Sequence, residues 1–167
     1  MSEIVSTVLR VGERARSIAM FNPRPFDLAK WNLKNLPRWE KTLKQSIEYD
    51  AGDITAAAVY ADPELLYRLM DNLVRNIREH VSEKAGCRIT LVRRQNGVVL
   101  TVADHGPGLS PTVIESLNRE GSRSKAAGVG INLCLKIAEI CGLTLSFANA
   151  PEGGLAIEIS FPVKPSA

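Results

Sequence analysis

The sequence has few cysteines, few aromatic residues and no long apolar run. Three cysteines among 167 residues are odd in number and too few for a disulfide framework, which excludes the small disulfide-stapled secreted folds. Aromatic residues make up 5% of the chain, and no stretch approaches the roughly 18 consecutive apolar residues that a membrane span needs. The opening residues MSEIVSTVLRVGERAR mix charges with apolar positions, unlike a secretory signal. These absences predict a cytoplasmic protein with reduced thiols.

A strong excess of charge of one sign is also absent. The chain has 21 Lys and Arg against 18 Asp and Glu, a net charge of +3, which is too small to indicate nucleic acid as a partner. With 45% hydrophobic and 23% charged residues, the composition is that of an ordinary globular domain and excludes disordered and fibrous classes. The length fits one domain with a short appendage.

Two prolines near the N-terminus give the clearest candidate boundary. Apolar residues before them recur at alternating spacings of four and three and predict a helix within residues 1–22. This helix either packs on its own core or belongs to a coiled-coil or bundle dimer interface. Pro23 and Pro25 end it, because they remove backbone donors. Residues 23–50 then form a segment that leads into the main domain, with a helix expected to break at Pro37, and residues 51–164 form the main domain.

Strand and helix patterns occur in blocks within the main domain. Asp62-Pro63 predicts a helix start, with Asp62 as the N-cap, and Gly142 predicts the end of a helix that begins at Ile131. Residues 109–127 are polar, contain glycine and have little periodicity. The predicted strands are ITAAAVY, a hairpin of CRITLVRR and GVVLTVAD turning at Asn96-Gly97, and a final pair of LTLSFAN and LAIEISFPV. This order predicts an α+β class, a two-layer sandwich in which helices cover one face of a mixed, mostly antiparallel sheet.

Three local features carry candidate chemistry. Asn72 and Asn76 lie four residues apart and share one face of a helix, where they are either ordinary boundary residues or oxygen ligands for Mg²⁺. Asp104-His105-Gly106-Pro107-Gly108 follows a strand and is either a plain turn or an acceptor beside a close backbone approach. Gly128-Val129-Gly130 opens a helix, whose free N–H groups suit phosphate. It matches neither a Walker loop nor a dinucleotide-binding fingerprint.

Taken in order, these features resemble the Bergerat-fold (GHKL) ATPases, and most closely the catalytic ATP-binding domain of sensor histidine kinases. NLVRNIREH resembles the N box of the family, DHGPGL its G1 box, and GVGINLCLKIAEICG its G2 box with the following helix. The terminal GGLAIEISFPV is similar to the strand that ends these domains. The resemblance covers about residues 50–163, and it implies ATP and Mg²⁺ as cofactors.

The resemblance also implies roles for single residues. Asn76 would coordinate Mg²⁺, with Asn72 beside it. Asp104 would accept a hydrogen bond from the adenine amino group, while Gly106 and Gly108 would let the chain pass the base.

Residues 109–127 would form a lid over the nucleotide. Gly128 and Gly130 would hinge this lid and present N–H groups to the phosphates. The lid contains three cations, Arg119, Arg123 and Lys125. Their side chains are either merely solvated or able to reach the γ-phosphate. The expected walls of the base pocket are Leu109, Ile131 and Leu133.

The chain departs from the family pattern at three places. Asn132 stands where the G2 box has glycine, Ile77 stands where the N box has alanine, and the lid lacks the phenylalanines of the F box. These departures put nucleotide affinity and lid closure in question more than the fold.

Residue 72 bears on the reaction type. Relatives such as DNA gyrase use a glutamate four residues before the metal-binding asparagine to activate water, and Asn72 cannot take that proton. Transfer to an external acceptor is therefore expected. The histidines of the chain, His80 and His105, both lie within the boxes, so the phosphoacceptor histidine would belong to a separate domain of the parent chain or of another protein.

The remaining partners follow from the resemblance as well. A response regulator would receive the phosphoryl group, and the N-terminal helix would form the contact of a homodimer. Anchoring of a parent protein in a membrane stays open. Two alternatives remain at this point: an anti-sigma-type serine kinase of the same fold, and a non-catalytic adaptor that has lost ATP binding.

Overall fold

A computed structural model describes residues 21–81, 86–95 and 97–162. Most of the helix predicted within residues 1–22 lies outside these ranges, as does Asn96. The elements are, in order, β1 (Arg24–Asp27), α1 (Leu28–Leu43), β2 (Ile47–Asp50), β3 (Ala58–Ala61), α2 (Pro63–His80), β4 (Cys87–Arg94), β5 (Gly97–Asp104), α3 (Pro111–Glu120), a 3-10 turn (Gly121–Arg123), α4 (Val129–Cys141), β6 (Thr144–Asn149) and β7 (Leu155–Pro162).

The main sheet has five strands in the order β2-β4-β5-β7-β6. Strand β2 runs parallel to β4, and the other three pairings are antiparallel. A separate two-stranded sheet pairs β1 with β3. The predicted hairpin is confirmed, because Arg94 lies opposite Gly97 and Cys87 opposite Asp104. The α+β class with a mixed, mostly antiparallel sheet is confirmed as well.

One hydrophobic core lies between the helices and the sheet. Strand β4 buries Cys87, Ile89 and Leu91, which alternate with less buried residues as expected of a strand with one covered face. Trp39 of α1 is fully buried in the same cluster. Residues 28–43 therefore pack on the same core as the later elements, while the domain boundaries drawn from the sequence stay predictions.

Helix α2 forms as its sequence predicts. The Asp62 carboxylate accepts hydrogen bonds from the N–H groups of Glu64 (2.9 Å) and Leu65 (3.2 Å), which confirms it as the N-cap. One face of the helix is buried, and full burial of each such side chain contributes about 1.5–3 kcal/mol. The buried residues are Leu65, Leu66, Leu69, Met70, Leu73, Val74 and Ile77. The opposite face is thereby free to line a site.

Helix α1 corrects one prediction, because it continues through Pro37. The ring removes the N–H that would bond to the carbonyl of Leu33. Pro37 and Leu33 are both exposed, so water can hydrate that carbonyl. Asp27 is the N-cap of this helix, and its carboxylate accepts hydrogen bonds from the N–H groups of Ala29 (3.0 Å) and Ala57 (2.9 Å). The bond from Ala57 is the main cause of the lowered pKa of Asp27.

Two further sequence predictions need correction. The strand placed over ITAAAVY begins only at Ala58, because the Ile54 N–H closes a turn onto the Ala51 carbonyl (2.9 Å). Residues 109–127 are not a loop throughout, since they contain α3, which Ser110 caps at 3.3 Å to the Val113 N–H. Within the described ranges, no helix combines the length and apolar character that a membrane crossing requires.

Candidate functional site

A cavity of about 760 Å³ lies between α2, α4 and the strands β5 and β7. This volume is in the range of small-molecule sites. The predicted residues that line it are Asn72, Asn76, Asp104, Gly108, Leu109, Gly128, Gly130, Ile131 and Leu133. The structure thus brings together residues from all three sequence boxes, which are up to 61 positions apart in the chain.

Asp104 lies at one end of this cavity, at the last position of β5. Its side chain is buried, and its Oδ1 accepts hydrogen bonds from the N–H groups of Gly106 (2.9 Å) and Leu155 (3.1 Å). Both of these bonds use one carboxylate oxygen, and within the described ranges no group donates to Oδ2, so Oδ2 is available to a donor in the cavity. Burial, and next the negative charge of Asp104, raise the pKa of the neighbouring Cys87 to about 12. This thiol is therefore neutral beside the carboxylate.

The loop after Asp104 depends on glycine at two positions. A Cβ on Gly106 would lie 2.8 Å from Cγ2 of Val81, which ends α2. Gly108 has φ +73° and is packed against the Asn149 side chain, which leaves no room for a Cβ. Gly106 lies near the cavity without lining it, whereas Gly108 forms part of the wall.

Asn76 faces the start of α4 across the cavity. Its Oδ1 is 3.0 Å from the point that a Cβ on Gly130 would occupy, so glycine at this position allows the close approach. Asn72 lies one turn earlier on α2, and its Nδ2 donates to the Arg68 carbonyl at 2.8 Å. The Oδ1 of Asn76 is thus a hard oxygen donor beside a helix N-terminus, as Mg²⁺ bound to phosphate would require.

The N-terminus of α4 is open toward the cavity. The N-cap residue is Gly128, which has no side chain to cap the first N–H groups. A Cβ at this position would meet nothing within 4 Å. The first N–H groups of a helix have no partner within the helix and carry its positive dipole end. This end of the cavity therefore suits an anion.

The lid cations are placed differently from the expectation. Arg123 and Lys125 are exposed and do not line the cavity, and neither does Arg119, which pairs with Glu115 (3.6 Å) and Glu120 (3.1 Å). A contact of Arg123 or Lys125 with the γ-phosphate therefore stays a prediction. The position of the lid in this structure does not support it.

Hydrogen bonds hold the lid on β6 and α4. The Asn118 side chain bonds to both the N–H and the carbonyl of Phe147, each at 2.8 Å. The Asn149 side chain bonds in the same way to Leu109, at 2.9 and 2.6 Å. Asn132, one of the three departures from the family pattern, donates to the Ser122 carbonyl at 3.0 Å.

Sequence reasoning missed several residues of the site. Gly154 has φ +91°, and a Cβ there would overlap the Asp104 carbonyl. Nothing local in the sequence relates Gly154 to Asp104, which lies 50 positions earlier in the chain. Further apolar residues also form the cavity wall. Their periodic spacing in the sequence does not distinguish a cavity wall from the hydrophobic core. These residues are Ile77, Val81, Val102, Ile137, Ile140, Leu155 and Ile157.

Comparison with known proteins gives a consistent family. The family described as histidine kinase-, DNA gyrase B-, and HSP90-like ATPase matches residues 61–165. The signal transduction histidine-protein kinase BaeS of Escherichia coli K12 is 31% identical over 114 residues, which are 64% of this chain and 24% of BaeS. AfsQ2 of Streptomyces coelicolor, also a signal transduction histidine-protein kinase, is 31% identical over 127 residues, which are 70% of this chain and 23% of AfsQ2. The chain spans about a quarter of the length of these relatives.

Solved structures share the fold. The histidine kinase AdeS of Acinetobacter baumannii superposes with a TM-score of 0.71 at 19% identity, over 96% of this chain and 81% of that one. The ATP binding domain of PrrB from Mycobacterium tuberculosis gives a TM-score of 0.68 at 20% identity, over 87% of this chain and 99% of that one.

Proposed function

We propose that this chain, which belongs to the family of histidine kinase-, DNA gyrase B-, and HSP90-like ATPases, binds Mg-ATP and supplies its γ-phosphate to a histidine on a separate domain in two-component signalling. The observation that carries this proposal is the pairing of two chemistries across one cavity. Asp104 offers a fixed acceptor at one end, and Asn76 with the α4 N-terminus offers an oxygen ligand and free N–H groups at the other.

The cavity chemistry fits each part of ATP. The exocyclic amine of adenine would donate to Asp104, and Leu109, Ile131 and Leu133 would pack on the base. The phosphates would lie at the N-terminus of α4, where Gly128 and Gly130 leave the backbone accessible.

Magnesium fits the same end of the cavity. Asn76 would hold the ion with its amide oxygen, and Asn72 lies beside it on the same face of α2. A bound Mg²⁺ would neutralise charge on the phosphate oxygens during transfer. Asn76 is the one protein ligand that we propose, because Mg²⁺ keeps several waters and takes its other oxygens from the phosphates.

The site favours transfer over hydrolysis. Asn72 occupies the position of the water-activating glutamate in hydrolysing relatives, and an amide does not accept a proton at neutral pH. In the transfer step, an imidazole nitrogen of the acceptor would attack the γ-phosphorus. The bond from phosphorus to the bridging oxygen of ADP would break, and ADP would leave with that electron pair.

The phosphoacceptor and the later partners would be supplied by other domains or proteins. His80 is at the cavity edge and exposed, and His105 is exposed in the loop after β5. We therefore propose a phosphoacceptor histidine domain, supplied by the parent chain or in trans, and a response regulator after it. The homodimer contact through residues 1–20 and a cytoplasmic location remain part of this proposal, and no nucleic-acid partner is included.

A transfer assay tests the proposal. The chain, an isolated histidine phosphoacceptor domain and radiolabelled Mg-ATP should yield acid-labile phosphate on the acceptor, with negligible phosphate release by the chain alone. The matched control is an acceptor domain whose histidine is replaced by glutamine. Acid-stable phosphate would indicate a serine kinase instead, and rapid steady hydrolysis by the chain alone would contradict the transfer proposal.

A further inference from the structure

The direction in which α2 runs along the cavity indicates where the base and the phosphates of a bound nucleotide would lie. The C-terminal end of α2 lies beside the base end, since Val81 contacts the space at Gly106 next to Asp104. Asn76 lies further back along the helix, opposite Gly130 and the start of α4. A nucleotide with its base at Asp104 and its phosphates at Asn76 therefore extends toward the N-terminal part of α2.

Arg68 lies on this path. It lines the cavity together with Asn72, Arg75 and Asn76, and these four residues occupy one face of α2. Arg68 is eight residues before Asn76, which is about 12 Å along the helix axis. Because Arg68 lines the cavity beyond Asn76 as seen from Asp104, its guanidinium borders the region where the phosphate furthest from the base would lie.

Among the described residues, the other cations discussed for this site are paired or do not line the cavity. Arg75 is paired with Asp71, with 3.0 Å between Nε and Oδ2. Arg123 and Lys125 do not line the cavity, because the lid is bonded to β6 and α4. Within the described part of the chain, the structure gives Arg68 no ion pair, so its guanidinium is available to an anion.

We infer that Arg68 is the cation that contacts the terminal phosphate of ATP and thereby distinguishes ATP from ADP. This inference rests on the proposed function and adds a residue to it. An arginine offers two parallel N–H donors to phosphate oxygens, and such charge-assisted bonds are the stronger kind. ADP ends before this position, so it would not gain the contact.

Calorimetric titration of Arg68→Ala with Mg²⁺ and either a non-hydrolysable ATP analogue or ADP tests the inference. The affinity for the ATP analogue should fall about tenfold, while that for ADP changes by less than about twofold. The matched control is Arg78→Ala, which removes an exposed arginine of the same helix that does not line the cavity. Both affinities should be unchanged in the control.

Three results would overturn the inference. Equal changes for ATP analogue and ADP would assign Arg68 a role other than reading the terminal phosphate. Selective loss of ATP affinity in the double variant Arg123→Ala/Lys125→Ala, with none in Arg68→Ala, would assign the contact to the lid. Absence of any nucleotide binding by the unsubstituted chain would overturn the proposed function together with this inference. If the unsubstituted chain binds ATP and Arg68→Ala lowers the affinities for the ATP analogue and ADP equally, only the inference is overturned.

Discussion

The two ends of the cavity are built in different ways. At the base end, Asp104 is 8% exposed, its Oδ1 is fixed by two backbone N–H groups, and Gly154 leaves no space beside its carbonyl. At the phosphate end, Arg68 is exposed and Gly128 has open space around it. The base end is formed by closely packed backbone, whereas the phosphate end is formed by an exposed side chain and the open N-terminus of α4.

This difference separates stability from binding. A change that disturbs the packed backbone at the base end, as at Gly154, should lower the free energy of unfolding and the nucleotide affinity together. A change at the phosphate end should lower affinity while leaving the free energy of unfolding nearly unchanged. The predictions below probe this contrast, beginning with the largest expected effect.

Gly154→Ala should have the largest effect. Its Cβ would overlap the Asp104 carbonyl, a backbone atom that cannot move aside, and its φ of +91° is strained for alanine. We expect a loss of about 3 kcal/mol in the free energy of unfolding, measured with denaturant, together with loss of ATP binding. Gly153→Ala is the matched control, since φ is +100° there and nothing lies within 4 Å. It should cost about 1 kcal/mol, and equal costs for the two variants would contradict the close-approach explanation.

Asp104→Asn should separate base recognition from the surrounding packing. The amide oxygen can still accept from Gly106 and Leu155, but the NH₂ group replaces the acceptor that, as we propose, would face the adenine amine. We expect ATP affinity to fall about 100-fold in calorimetry, with the free energy of unfolding changed by less than about 1 kcal/mol. Binding equal to that of the unsubstituted chain would show that Asp104 does not read the base.

Gly130→Ala should affect binding without loss of stability. Alanine favours a helix over glycine by up to about 1 kcal/mol, while its Cβ would press on Asn76 Oδ1 from 3.0 Å. Magnesium-dependent ATP affinity should fall about tenfold as the asparagine shifts. If the effect acts through Asn76, adding Asn76→Ala to Gly130→Ala should give much less than the sum of the two losses. Additive losses would contradict this route.

Asn132→Ala should have the smallest effect. It removes the bond to the Ser122 carbonyl that ties the lid to α4. One such bond contributes about 1 kcal/mol, so the amides of Ser124 and Ala126 should exchange hydrogen about fivefold faster. Amides of β5 should be unchanged and serve as the internal control. Unchanged exchange at both lid amides would show that Asn132 does not hold the lid.

The sequence predicts the fold well where the signal is local. Asp62-Pro63, Gly142 and the β4–β5 hairpin carry their own caps or turn, and all three are confirmed. The helix α3 had a similar signal in Ser110-Pro111, but the polar residues after it obscured the single buried position, Leu117. Local patterns thus give the elements, and weakly amphipathic ones are missed.

The site is less accessible to sequence reasoning, for a physical reason. The motif residues Asn76, Asp104 and Gly130 do converge on one cavity. The residues that support them come from distant positions, as Gly154 and Asn149 do, because β7 and β6 bring them beside the loop after β5. Such contacts depend on the pairing of β7 with β5, two strands that are distant in sequence and that no turn connects directly.

Calorimetric titration of the chain with a non-hydrolysable ATP analogue, with and without Mg²⁺, measures whether the cavity is a nucleotide site. We predict binding that strengthens when Mg²⁺ is present and that Asp104→Asn weakens about 100-fold. Absence of binding up to millimolar analogue with Mg²⁺ would contradict the account and indicate a fold that has kept its cavity without its nucleotide.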